Sequence, residues 1–273
     1  SGFGSYKANV GQVANTGVEL GVNVYVLRDT KRDLSWLIGG TLAHNKNEIK
    51  KISNSLEFLN EQMSSEDGGN PSFMYEEGQS MNTIFAVKSK GIDPSNGKEI
   101  YIKKDGTETY TWDAKDKVPC GINEPKIWGN LNTMFRYKGI TLNAIFGYRY
   151  GGQMYNYTLV SKVENIKPYD NADKRVLEER WQEVGDYTFY KNIADRTVSK
   201  ASSRFVQDND YLELSNISIS YRFASESLKK FGISALRLGL NSSNLFYAST
   251  VKRERGIEYP FARQFTFSLN LNF

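Results

Sequence analysis

The chain ends on RQFTFSLNLNF, which alternates without a break from Gln264 onward: Phe265, Phe267, Leu269, Leu271 and Phe273 are apolar, and the residues between them are polar. Successive side chains of a strand point to opposite faces, so this run predicts a strand with one apolar and one polar side. Six similar runs precede it. Val18, Leu20, Val22, Val24 and Val26 share a face, as do Leu34, Trp36, Ile38, Gly40 and Leu42 in the second run, where Leu37 is an exception. The third, Ile127 to Tyr137, sets Leu131, Phe135 and Tyr137 against Asn130, Asn132 and Arg136. The fourth sets Ile140, Leu142, Ala144, Phe146, Tyr148 and Tyr150 against Thr141, Asn143, Gly147 and Arg149. The fifth carries Ile217, Ile219, Tyr221 and Phe223, with Leu212 and Leu214 out of phase, which predicts a β-bulge near Ser215. Leu236, Leu238 and Leu240 mark the sixth. Each run reaches the roughly 9–11 residues that a tilted strand needs to cross a bilayer.

The connections alternate in length. Those at 28–33, 138–139 and about 224–233 are short, whereas 46–125, 151–203 and 247–260 are long. A soluble sandwich has no reason to do this; an outer-membrane barrel does, with short periplasmic turns and long extracellular loops. Rings collect near the short turns (Trp36, Phe135, Tyr137, Tyr221, Phe223, Phe273) and at the opposite strand ends (Phe146, Tyr148, Tyr150). Two such bands match interfacial girdles, although aromatic residues are also favoured in ordinary sheets. The predicted fold is all-β: a transmembrane antiparallel barrel with long extracellular loops at about 1–11, 46–125, 151–203 and 247–260.

Composition is consistent with this. Mean hydropathy is −0.53, and no stretch has the length and apolarity of a membrane helix, which leaves barrel strands as the spanning option. The formal net charge of +4 is unclustered and gives no case for nucleic acid. Cys120 is the single cysteine, so there is no disulfide framework. Seven strands is an odd number, whereas single-chain bacterial barrels normally have an even count. The expectation is therefore the C-terminal part of a larger barrel, residues 1–273 forming one portion of it.

Several blocks resemble the SusC/RagA-type TonB-dependent outer-membrane transporters. They are NVGQVANTGVELGVNV, EEGQSMNTIFAVKSKGIDPSNGKEIY, NEPKIWGNLNTMFRYKGITLNAIFGYRYGGQMYN, RFVQDNDYLELSNISISYRF and YPFARQFTFSLNLNF, in the family's order. One departure is Val184 before Gly185-Asp186, where the family often has proline. The resemblance implies a barrel of about 22 strands of which these are the last seven. It further implies an N-terminal plug and TonB-contacting segment absent from this chain, and a SusD-like surface lipoprotein as lid. The implied partners are that lipoprotein, the TonB complex, the rest of the barrel, outer-membrane lipid and an oligomeric nutrient.

Catalytic chemistry finds little support. His44 is the only histidine and reads as a surface or girdle residue. Glu76-Glu77 and Glu178-Glu179 read as solvated charges, since adjacent carboxylates do not by themselves span a glycosidic bond. Asp93-Pro94-Ser95-Asn96-Gly97 reads as a tight turn. No catalytic, cofactor or metal site is expected. Asp173–Trp181 is a candidate short helix. The aromatic-rich long loops are the candidate functional region: Tyr75, Phe85, Trp112, Gln153, Tyr155, Trp181 and Tyr190, joined by Arg149 on the polar side of the fourth strand. Such rings suit sugars or peptides, and equally suit loop packing or a grip on a lid protein. Phe265, Phe267, Leu269, Leu271 and Phe273 are the expected end signal for barrel assembly. The expected function is active import of a glycan or oligopeptide, with a passive porin or adhesin as the alternative.

Overall fold

The computed structural model describes residues 9–65, 71, 74–167, 169, 172–223, 226–253 and 263–273. Most of the expected loop 1–11 and residues 254–260 of the last expected loop lie outside the described residues, as does the loop aromatic Phe73. The long strands are β1 (Gly11–Asp29), β2 (Leu34–Ile52), β7 (Ile127–Tyr137), β8 (Ile140–Tyr150), β11 (Tyr211–Phe223), β12 (Ala235–Ser249) and β13 (Gln264–Asn272). Between them lie the short strands β3 (Thr83–Ile92), β4 (Glu99–Ile102), β5 (Glu108–Thr109), β6 (Lys117–Ile122), β9 (Gln153–Tyr155) and β10 (Val206–Asp208). The chain divides into two compact units: a sheet unit of residues 17–45, 125–151 and 209–273, and a loop unit comprising the described part of 1–16 with 46–124 and 152–208.

In the sheet unit the long strands form one antiparallel sheet in the order β1-β2-β7-β8-β11-β12-β13, a meander without crossovers. Its register aligns the apolar positions into rows. Trp36, Phe135, Leu142, Ile219, Leu240 and Phe267 are successive cross-strand partners. One residue along, the row reads Ser35, Arg136, Thr141, Ser220, Gly239 and Ser268. One face is thus aliphatic and aromatic, and the other mainly polar, with small residues in much of this row. Small residues are needed there: a Cβ on Gly39 would lie 2.0 Å from Asn23 Oδ1 and 2.6 Å from Asn132 Oδ1.

The register shifts between Leu214 and Asn216 against both neighbours, which is the expected bulge. It carries Leu212 and Leu214 onto the apolar face, opposite Tyr148 and Phe146. The β7–β8 turn is the two-residue hairpin read from Lys138-Gly139; both have positive φ (45° and 84°), the signature of a primed turn that follows the strand twist. At the other end of β7, a Cβ on Gly129 would sit 1.9 Å from the Thr41 carbonyl oxygen and 2.9 Å from the Tyr148 hydroxyl. Glycine there lets Tyr148 cross over and donate to Thr41 O at 2.9 Å.

The apolar face is uncovered. Val18, Leu20, Val22, Val24 and Val26 are 48–64% exposed, and Phe265, Phe267, Leu269 and Leu271 are 42–69% exposed. Covering an aliphatic side chain is worth ~1.5–3 kcal/mol, so in water β1 alone would forgo on the order of 5 kcal/mol or more, comparable to a whole domain's net stability. Hydrocarbon removes that penalty, and the paired strands satisfy the backbone.

The segments expected as loops are folded. Residues 46–124 carry the end of β2, a helix α1 (Asn54–Ser65) and a four-stranded sheet ordered β5-β4-β3-β6. Residues 152–208 carry the β9–β10 pair, a π-helical turn at Leu159–Glu164 and a 3-10 turn at Ser203–Phe205. A core of Ile84, Tyr155, Leu159, Val160, Val163, Val176, Tyr190, Ala201 and Phe205 draws on both segments.

The two faces make opposite demands, which yields the first prediction. In the full-length barrel, Ile219→Arg on the apolar face should reduce stability in bilayers by about 2–4 kcal/mol, the usual midplane penalty for arginine. Ser220→Arg, one residue along and on the polar face, should be tolerated. Denaturant titration in lipid vesicles, read by heat-modifiable gel mobility, checks both; equal losses would contradict the facial assignment.

Candidate functional site

The loop unit is held together by a buried ion network. Arg204 Nη2 lies 2.7 Å from Glu99 Oε2 and 2.6 Å from Glu164 Oε1, and its Nη1 donates to Phe189 O at 2.6 Å. All three charged side chains are buried. Tyr101 donates its hydroxyl to Glu99 at 3.2 Å, and Ser199 donates to Glu164 at 3.0 Å. Glu99 comes from the first long segment and Glu164 and Arg204 from the second, so the network joins them. Burial is the largest influence on Glu99 and opposes its charge, yet the adjacent Arg204 holds its carboxyl below the usual value. Burial likewise works against the Arg204 charge, and the two carboxylates override it and raise its pKa.

A second buried cation, Arg180, is devoted to backbone. It donates to Val176 O at 2.6 Å, Lys191 O at 3.0 Å and Val163 O at 2.6 Å, and stands 5.5 Å from the Tyr190 ring centroid. Next to it, Trp181 donates Nε1 to Pro94 O at 3.0 Å and covers Gly97, where a Cβ would come within 2.6 Å of the indole. Gly97 also has φ of +70°, so both space and conformation call for glycine at the end of the Asp93–Gly97 turn. That turn is closed by Ser95 N donating to Asp93 Oδ1 at 2.8 Å and Gly97 N to Asp93 O at 2.8 Å.

The expected contact residues separate by environment. Phe85 is fully buried in β3; Tyr155, Trp181 and Tyr190 are also buried, and burial pushes the Tyr190 hydroxyl up to about 12. These four hold the shape of the loop unit. Gln153 is half-buried and bridges strands, accepting from Ile122 N at 3.1 Å and donating to Asp208 Oδ1 at 3.2 Å. Trp112 is half-buried, donates Nε1 to Ala201 O at 3.0 Å, and has Lys200 and Lys117 Nζ at 4.7 and 5.6 Å from its ring centroid. Tyr75 is half-buried, with its backbone clasped by the Asn60 amide. Arg149 lies on the polar face of β8, beside Trp128 of β7 and Tyr211 of β11.

Around Arg149 the polar face carries groups that the sequence reading did not select. Tyr211 stacks on Tyr247 with centroids 5.7 Å apart, and Arg253 stands 4.8 Å from the Tyr247 ring. Glu213, the partner of Gly147 and Tyr247, accepts from Ser215 at 3.2 Å. Their common face follows only once the bulge resets the phase of β11; without it, Tyr211 and Glu213 read as apolar-side residues.

Other sequence candidates have structural partners. His44 Nδ1 lies 2.6 Å from Lys126 O, and Glu77 accepts from Ile52 N at 3.0 Å. Glu178 is exposed, 3.8 Å from Lys174. Cys120 in β6 has its Sγ 3.4 Å from Ala86 O of β3, and burial pushes its thiol up. The short helix expected over Asp173–Trp181 is reduced to a 3-10 turn, Lys174–Val176, capped by Asp173; Glu179, with φ of +50°, is incompatible with its continuation.

The fold is that of an antiparallel membrane-barrel segment, and comparisons with known proteins agree. The chain is 23% identical over its full length to TonB-dependent receptor P3 of Formosa agariphila, and 22% identical over 90% of its length to TonB-dependent receptor P39 of the same organism. It spans about 30% of the length of these relatives. No protein-family model matches it. Among solved structures, the RagAB peptide transporter superposes on all of the chain and 31% of its own with a TM-score of 0.78 at 23% identity. The RagAB peptide importer in its open-open state covers 97% of the chain and 29% of its own, with a TM-score of 0.74 at 21% identity. The chain is thus similar along its length to TonB-dependent receptors and has the fold of part of the RagAB structures. These relatives are named as receptors and transporters.

The ion network generates two predictions. Removing Arg204 would leave two buried carboxylates without their cation, a loss of about 3–5 kcal/mol for a broken buried pair. Arg204→Met should therefore open residues 152–208 to proteolysis while the barrel stays heat-modifiable. The pH dependence follows from Glu99, whose folded pKa is depressed. Its contribution is complete above its ordinary value of 4.5 and is lost as pH falls through the lowered one. Protease resistance of the loop unit should hold at every pH above 4.5 and decline as the pH falls below it through the lowered value, with a smaller acid step in Glu99→Gln.

Proposed function

We propose that the full-length protein imports a nutrient oligomer, a peptide or glycan, across the outer membrane by TonB-dependent active transport, together with a SusD-like surface lipoprotein. The observation that carries this reading is the uncovered apolar face of the seven-stranded sheet, continuous from Trp36 to Phe267, backed by a face of small polar residues. In this reading the sheet is part of a wall around an aqueous interior. Support for energised import comes from the full-length similarity to receptors named TonB-dependent and from the likeness to a transporter described as a peptide importer.

In this reading the loop unit faces the outside and the polar face lines the lumen. Within the sheet unit, substrate contacts fall on Arg149 with its neighbours Trp128, Tyr211 and Tyr247; within the loop unit, Tyr75 and Trp112 are separate candidates. Aromatic faces beside charged groups suit both peptides and sugar rings. Phe85, Tyr155, Trp181 and Tyr190 act indirectly, by fixing the loop unit's shape. Phe265, Phe267, Leu269 and Leu271 present the apolar side of β13 to lipid, and with Phe273, which follows it, to the machinery that inserts it.

Uptake of labelled oligopeptides and oligosaccharides by cells with and without the full-length gene tests the proposal. Uptake should require the gene and should stop when a protonophore collapses the inner-membrane gradient. Gene-dependent uptake that survives the protonophore would instead identify a passive porin.

A further inference from the structure

The apolar face of the sheet has a recess near its short-turn end. A groove of about 370 Å³ runs across β8, β11, β12 and β13, between Ile140, Ile219, Tyr221, Leu238, Leu240 and Phe267. That volume falls within the ~300–1,000 Å³ usual for small-molecule sites. These side chains belong to the apolar rows, and the floor is the backbone of Ser220 and Gly239, which face the other way. Ile140, Ile219, Tyr221, Leu240 and Phe267 are each 39–69% exposed, so the groove opens to whatever solvates this face.

Toward the turns the groove meets an aromatic wall and a cation. Tyr221 packs edge-on against Phe223, with ring centroids 4.3 Å apart. The Lys138-Gly139 turn is tied to the same strand end: Arg222 N donates to Gly139 O at 2.9 Å, and a Cβ on Gly139 would lie 3.5 Å from the Tyr221 ring. Lys138 Nζ stands 5.2 Å from the ring centroid of Tyr137, whose apolar row continues into Ile140 and Tyr221. The ammonium is therefore on the apolar side of the turn, and it forms no ion pair among the described residues. Lys138 has φ of +45° in a hairpin position that favours Asn, Asp or Gly, so lysine there carries a backbone cost. The backbone gives no reason for lysine at this position, whereas an anion at the mouth of the groove does.

We propose that this groove holds one acyl chain of a glycerophospholipid and that Lys138 takes the phosphate of the same molecule. A face surrounded by hydrocarbon exerts no hydrophobic pull on one chain over another, so selection comes from close packing and from the phosphate–ammonium pair. The recess supplies the packing, because a floor and flanks touch a chain over more of its length than a flat stretch of the face does. Short turns mark the periplasmic side of a barrel, and glycerophospholipid forms the leaflet there. The inference rests on the lipid-facing reading of the apolar face and holds whether transport through the barrel is energised or passive.

The test uses the full-length barrel in a non-ionic detergent, with dioleoyl phosphatidylglycerol added sparingly and bound lipid counted by native mass spectrometry. Lys138→Asn should retain about fivefold less lipid than wild type, the factor equivalent to the roughly 1 kcal/mol of one lysine near an anionic lipid surface. Asparagine suits the turn, so heat-modifiable stability should hold or rise, which separates lost charge from lost fold. Leu238→Trp, which fills the groove, should lower retention at least as far, and Lys31→Asn, at another short turn, should leave it at the wild-type level. Dioleoylglycerol, with the same chains and no phosphate, should bind wild type no better than Lys138→Asn. Equal retention by wild type, Lys138→Asn and Leu238→Trp overturns the site and leaves the lipid-facing sheet and the import proposal standing. A loss in Lys31→Asn as large as that in Lys138→Asn also overturns it, by showing a general effect of charge. Access of aqueous iodide to a label at Ile219 would instead strike the lipid-facing reading, and the site with it.

Discussion

The structure depends on one constraint: an apolar sheet face that must be removed from water although nothing among the described residues covers it. Rows such as Leu34, Tyr137, Ile140, Tyr221, Leu238 and Leu269 run across six strands. Hydrocarbon is the solvent that fits such a face, and a paired ladder is the way a strand enters hydrocarbon without orphaned backbone groups. The polar rows behind it follow from the same constraint, because residues on alternate sides of a barrel wall meet lipid and lumen in turn. Glycines at 39, 129 and 239 fit this scheme, each lying where a side chain would strike a neighbouring strand's atoms.

The loop unit solves a different problem. Its segments are long enough that closing them costs entropy, and a small apolar core drawn from both offsets it. The Arg204 network then specifies which segments meet, since a buried guanidinium between two carboxylates tolerates few alternative arrangements. A buried ion network is weak evidence for net stability but a strong brake on rearrangement once formed. A shaped, ordered unit is what a binding surface needs, because side chains on an ordered support lose less freedom when a ligand or partner arrives.

The sheet was legible in the sequence because its physics is local: alternation reports on facing, and a break in alternation at Leu212 and Leu214 reports on a bulge. The loop unit was not, because its contacts join residues far apart, Arg204 and Glu99 among them. One signal there was readable. Ile84-Phe85-Ala86-Val87 is a short unbroken apolar run of the kind found in strands buried on both sides, and it forms the buried start of β3. Placing Phe85, Tyr155, Trp181 and Tyr190 among possible ligand contacts reflected a real ambiguity, since an aromatic ring that packs a core and one that binds a sugar are the same residue in a string. The neighbours of Arg149 on the polar face escaped notice because the bulge reverses the facing of Tyr211 and Glu213.

The central claim is that one face of the sheet is solvated by lipid chains and the other by water. Its most direct measurement is quenching by brominated acyl chains of a small fluorophore attached at single cysteines in the full-length barrel, with Cys120 replaced by serine. Labels at Val22, Leu142 and Ile219 should be quenched strongly, and labels at Asn23, Thr141 and Ser218 should be quenched only by aqueous iodide. Comparable quenching of both sets by brominated lipid, or iodide access to Val22 and Ile219, would contradict the account.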